Sequence, residues 1–214
     1  QARVRLYGLF SESAESSSSN VLDSNIKYEV DYWYEKNILN KKDTNNNLLS
    51  NYLSDEIFCN DRTFTSGNGY NFDLGYVHTK YGAYDRLNLN KIPTLLCQNT
   101  NDKFTVSGEN GNGKLDYPIA LLTIDEAALA GGKYNTMNYS YYLYTGQSYW
   151  TMSPAHFSAH YYQPYVWNVQ NNGLISYKTL SNTFGIRPVI NLSSEVLYSS
   201  GSGTEEDPYK VKLI

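Results

Sequence analysis

The sequence predicts an α+β fold, and three observations lead to it. Helical spacing is confined to the first two-thirds of the chain, where stretches after Asp23 and Thr123 each begin with a capping residue. The last third holds runs rich in Tyr, Val and Ile, punctuated by Gly, Pro and Asn, as in an antiparallel sheet. A hydrophobic fraction of 41% with 15% aromatics over 214 residues is enough for a sizeable core and argues against disorder.

Taken in order, Arg3-Val4-Arg5-Leu6-Tyr7-Gly8-Leu9-Phe10 alternates well enough for a strand. Residues 11–20 are Ser-rich and read as a flexible tether, so residues 1–20 form an arm and 21–214 the globular domain. A strand on a tether can pair with the sheet edge of a neighbour, with Val4, Leu6, Leu9 and Phe10 as its exchanged side chains, or within its own sheet, beside residues 209–214. Asp23 or Ser24 caps a helix with Ile26, Val30 and Trp33 on one face. Residues 41–47 are a polar break, and Leu48, Leu49, Tyr52, Leu53 and Ile57 suggest a second short helix. Irregular structure is expected over 60–80, and a turn-rich loop over 108–113. Pro118-Ile119-Ala120-Leu121-Leu122 reads as a buried strand. Thr123 with Glu126 then forms a capping box, and Gly131-Gly132 ends that helix. Strands are expected over 141–145, 149–152, 165–169, 174–177, 187–192 and 209–214.

The chemistry of the surface narrows the setting. Charged residues are 18%, the net charge is −4, and Tyr occurs 22 times. That balance gives no footprint for nucleic acid or anionic lipid. No apolar run approaches the roughly 18 residues of a membrane helix, so no membrane insertion is expected. Gln1 in place of Met, with no signal-peptide pattern, reads as a start after processing. A Tyr- and Asn-rich surface suits an extracellular protein. Cys59 and Cys97 lack a CxxC partner or a Cys/His cluster. Joined, they would close a loop of about 39 residues, worth roughly 3–4 kcal/mol; the alternative is two separate buried thiols.

Several blocks resemble a domain of unknown function in surface and prepilin-like proteins of Gram-positive bacteria. They are Phe58-Cys59-Asn60-Asp61-Arg62, Tyr81-Gly82-Ala83-Tyr84-Asp85-Arg86-Leu87, Leu121-Leu122-Thr123-Ile124-Asp125-Glu126 and Tyr142-Leu143-Tyr144-Thr145-Gly146. Tyr149-Trp150-Thr151-Met152-Ser153-Pro154, Gly185-Ile186-Arg187-Pro188-Val189-Ile190-Asn191-Leu192 and Gly201-Ser202-Gly203-Thr204-Glu205-Glu206-Asp207-Pro208-Tyr209 extend the likeness, which runs from about Ile26 to the end. The Trp-x-x-Ser block followed by Gly185-Ile186-Arg187-Pro188-Val189 is also similar to C-type-lectin-like domains, including formylglycine-generating-type folds and retroelement variable proteins. That similarity implies two or three helices on a mostly antiparallel sheet, with ligand contacts over 155–172. It carries no catalytic residue across. The hydrophobic N-terminal helix by which prepilins assemble is not among these residues, so either it was removed or assembly proceeds by other means.

His156 and His160 are four apart, but Pro154 precedes them and no third ligand is near, so no metal or cofactor is expected. Gln163-Pro164-Tyr165 and Trp167-Asn168-Val169 echo lectin calcium motifs, with Tyr165 and Val169 where carboxylates would be needed. No G-x-S-x-G elbow or phosphate loop is present, and no enzymatic activity is expected. The aromatic run is left: His156, His160, Tyr161, Tyr162, Tyr165 and Asn168 are the expected ligand or partner contacts, with Phe157 and Trp167 buried. The leading expectation is a self-assembling cell-surface subunit of a pilus-like filament whose partners are copies of itself. The alternative is a monomeric adhesin binding a host or cell-surface ligand.

Overall fold

The computed structural model describes residues 6–9, 23–68, 77–161, 163–204 and 206–213. Val4, Phe10 and Tyr162 lie outside the described residues, as does the whole tether, residues 11–20. The architecture is mixed α and β with mostly antiparallel pairing.

A seven-stranded sheet is organised around β8 (Tyr149–Ser158). One edge of β8 carries β9 (Gln163–Val169) and then β10 (Ile175–Thr179), all antiparallel. The other edge is shared. Near its start β8 meets β11 (Thr183–Ile186) in a parallel bridge at Gly185 and Tyr149, and near its end it meets β5 (Thr79–Tyr81), which pairs with β4 (Phe64–Ser66). Smaller sheets are formed by β2 (Leu53–Ser54), β12 (Pro188–Leu192) and β7 (Ile119–Leu121), and by β3 (Phe58–Cys59) with β6 (Lys103–Phe104).

Side chains alternate across the large sheet, and each face has its own core. Trp150 and Val166 point to one face, where α1 (Asn25–Asn37) lays down Ile26, Val30 and Tyr34 at helical spacing. Ser24 caps that helix by accepting from the Lys27 amide. Tyr149, Trp167, Val169 and Ile175 point to the other face. There they meet Ala83 of α2 (Gly82–Asp85), Leu87 of the π-helical turn that continues it, and Ile124 and Ala127 of α3 (Ile124–Leu129). The capping box of α3 is formed: the Thr123 hydroxyl accepts from the Glu126 amide at 3.1 Å, and Glu126 accepts from the Thr123 amide at 2.7 Å.

The N-terminal strand β1 (Leu6–Leu9) takes a partner other than residues 209–214. It pairs antiparallel with β11 of its own chain, Leu6 opposite Ile186 and Leu9 opposite Thr183. The physical reason is the free edge of β11, which touches β8 at a single bridge and would otherwise leave its amides unpaired. The partner is not the C-terminal segment, because β14 (Lys210–Leu213) forms a hairpin with β13 (Val196–Ser200). Two local expectations also change. Residues 141–145 are turns, with the Leu143 carbonyl taken by the Tyr149 hydroxyl and by Arg187 Nη1 rather than by a strand. Residues 48–57 hold a 3-10 turn (Leu49–Tyr52) and β2 in place of a second helix.

Cys59 and Cys97 are joined, with Cα atoms 5.7 Å apart. The bond fastens β3 to the loop after α2. Beside it, Arg62 Nε and Nη2 both donate to Asp102 Oδ1, at 2.8 and 2.6 Å.

Candidate functional site

The face that carries α2 and α3 ends in a patch of aromatic rings centred on Tyr177. Register explains why. Lys80 lies opposite His156, His156 opposite Tyr165, and Tyr165 opposite Thr179, which makes one row across β5, β8, β9 and β10. Tyr177 stands beside Trp167 in the next row. Tyr84 arrives from α2, and Tyr134 from the turn after α3, bridged to Ile175.

The rings are in contact. His156 stacks on Tyr165 with centroids 4.3 Å apart, and meets Tyr177 edge-on at 4.7 Å. Tyr177 is also 5.8 Å from Tyr84, 6.1 Å from Tyr134 and 5.3 Å from Trp167. Tyr84, Tyr134, Tyr165 and Tyr177 are all half-buried, so each leaves part of a ring to solvent. Two ammonium groups rim the patch: Lys80 Nζ sits 5.1 Å from the Tyr84 ring, and Lys91 Nζ 5.7 Å from the Tyr134 ring. Lys91 is held in place by donating to the Leu87 and Asn88 carbonyls.

Burial sets the protonation states. His156 is 9% exposed, and desolvation, helped by neighbouring His78 and Lys80, lowers its pKa to about 4, so it is neutral at pH 7. Its Nδ1 has no hydrogen-bond partner among the described residues, and neither does Trp167 Nε1. Tyr177 is pushed up by burial and by its hydroxyl contact with Tyr134, 3.4 Å away. The Tyr177 phenol therefore stays protonated and can both donate and accept. Such a surface offers flat apolar rings, hydroxyls and flanking positive charge.

Of the residues expected from sequence, the structure brings His156 and Tyr165 together here. His156 is an inner member of the stack rather than an outward contact. Asn168 is fully buried within β9, its Oδ1 taken by Gln170, and so is not a surface contact. His160 and Tyr161 are exposed in the turn between β8 and β9, packed edge-on against each other. Because β8 is a strand, His156 and His160 do not share a helix face. Phe157 and Trp167 are buried as expected. Sequence reading missed Tyr84, Tyr134, Tyr177, Lys80 and Lys91. Tyr177 alone was within reach, since Ile175 and Tyr177 alternate on the same face as Trp167 and Val169.

No family model, curated protein or solved structure matches the chain.

Proposed function

We propose that this is a non-enzymatic, extracellular, C-type-lectin-like binding domain of a bacterial surface protein, with the Tyr84, Tyr134, Tyr165 and Tyr177 patch as its ligand-contacting surface. The observation that carries the reading is the contiguity of four half-buried tyrosines, three of them around Tyr177, rimmed by Lys80 and Lys91. Tyrosine gives contact area and hydrogen bonding at low entropy cost. The disulfide supports an oxidising compartment, and no helix among the described residues is long and apolar enough to cross a membrane. With Cys59 and Cys97 joined, neither is available as a thiolate.

The test is an immobilised-protein screen against purified cell-wall polysaccharides and extracellular-matrix proteins. A hit that is lost in both Tyr165→Ala and Tyr177→Ala, with the fold intact by circular dichroism, supports the assignment. Undiminished binding by both variants refutes it.

Self-assembly is kept as a second reading for one reason. β1 is an edge strand held by a four-residue ladder, and the same slot on a neighbouring copy would accept it equally well. Gly8 lies opposite Phe184, so the double variant G8C/F184C reports directly. A cross-link within one chain means cis pairing in solution, and a ladder of linked oligomers means exchange.

A further inference from the structure

A separate cavity of about 240 Å³ lies where β3, the loop after α2, the start of α3, β8 and β12 meet. Its lining divides in two. Leu95 and Leu96, with Met152 and Val189, make an apolar wall, and the two leucines are 67% and 71% exposed although they line a cavity. The other wall is ionic. Arg86 donates from Nε and Nη2 to the two oxygens of Asp125, at 2.9 and 2.8 Å, and from Nη1 to Asp61 at 2.7 Å. Burial would raise the Asp61 carboxyl, but hydrogen bonds from Thr63 and Arg86 outweigh it and hold the group below its ordinary range. Glu126 completes this wall, with Oε2 accepting from the Thr123 amide and hydroxyl and Oε1 without a partner among the described residues. Three carboxylates and one guanidinium thus line the cavity, and the guanidinium is already committed to Asp125 and Asp61, leaving a surplus of two negative charges.

We infer that this cavity is a socket for a single long basic side chain, lysine above all, presented by an extended segment of a partner protein. Size favours this over a free small molecule, because typical ligand pockets run from about 300 to 1,000 Å³. Charge selects a cation and opposes a carboxylate or phosphate. The two-part lining matches a side chain with an alkyl stem and a charged tip: the stem lies along Leu95, Leu96 and Met152, and the ammonium reaches Glu126 and Asp61. Two links join the walls of the site. The Cys59–Cys97 bond fixes one wall to the other, and the Thr94 amide donates to Asp125 Oδ1 at 3.0 Å, which anchors the leucine loop to the ionic wall.

The experiment is an NMR titration of the ¹⁵N-labelled full chain with N-acetyl-lysine methylamide and, separately, its uncharged analogue N-acetyl-norleucine methylamide. The lysine compound is expected to shift the amides of Thr94, Leu96, Glu126 and Ser153, with an affinity at least about tenfold above that of the norleucine compound. Glu126→Gln removes one charge yet keeps a capping-box residue. It is expected to weaken lysine binding at least about fivefold without moving the melting temperature. Equal binding of the two compounds would reduce the cavity to a plain apolar groove and overturn the assignment. So would the absence of shifts up to about 100 mM, or a Glu126→Gln variant that binds as well as the parent.

Discussion

His156 shows what a single buried base does to this molecule. In the unfolded chain its pKa is near the ordinary 6.5, and in the fold it is about 4. Between those values the unfolded state binds more protons, so the contribution to stability is complete above pH 6.5 and is lost as pH falls toward 4. The loss amounts to about 3 kcal/mol at most. Replacing the ring with Phe keeps the stack on Tyr165 and removes the titration. Urea unfolding of His156→Phe between pH 7 and 4 should show a flatter stability profile than the parent, and parallel profiles would contradict the assignment. Asp43 acts lower on the scale: its hydrogen bond from Tyr52, with the Asn45 and Asn47 amides, holds it at about 2. Gly173 matters for a different reason. It sits at φ +78° in the turn between β9 and β10, and a Cβ there would lie 1.8 Å from the Asn138 carbonyl oxygen. Gly173→Ala is expected to cost at least about 2 kcal/mol, read from the denaturation midpoint.

At the scale of elements, the disulfide and the caps are the separable contributions. Cys59 and Cys97 span 38 positions, and removing both thiols in C59S/C97S should cost roughly 3–4 kcal/mol in the chain-entropy account. Because the bond also anchors the loop bearing Leu95 and Leu96, that variant should bind N-acetyl-lysine methylamide more weakly than its remaining folded fraction predicts. Thr123→Ala removes the cap of α3 and should cost about 1 kcal/mol. Both costs are readable from chemical denaturation. Strand β1 shows the limit of reading an element alone. Its alternation marks a strand, but whether it pairs in cis depends on the unoccupied edge of β11, nearly 180 residues away in the chain.

For the whole molecule, the two faces of the large sheet are occupied differently. One is covered by α1 and sealed around Trp150. The other is covered only part-way by α2 and α3, and the tyrosine patch lies at the margin of that cover, with Tyr84 supplied by α2 itself and Tyr134 by the turn after α3. A binding surface at that margin is compatible with a stable core, because the rings are anchored on Trp167 while their outer edges stay wet. Changing the patch should therefore cost binding more than stability. Tyr165→Ala is expected to lower the melting temperature by a few degrees at most, and a larger fall would mark Tyr165 as core rather than contact surface.

Local signals in the sequence determined the α+β class, the capped helices after Ser24 and Thr123, the burial of Phe157 and Trp167, and most of the late strands. Each rests on spacing or capping among neighbours, and such rules act over a few residues. Tertiary structure alone decided that the edge of β11 takes β1 while residues 210–213 pair with β13, that residues 141–145 give up strand pairing to Tyr149 and Arg187, that Asn168 is buried, and that Tyr84 and Tyr134 join Tyr165 and Tyr177. Those outcomes depend on which strand edges are left open and which loops arrive over a sheet face. Periodicity cannot express either one, because both are set by contacts between residues far apart in the chain.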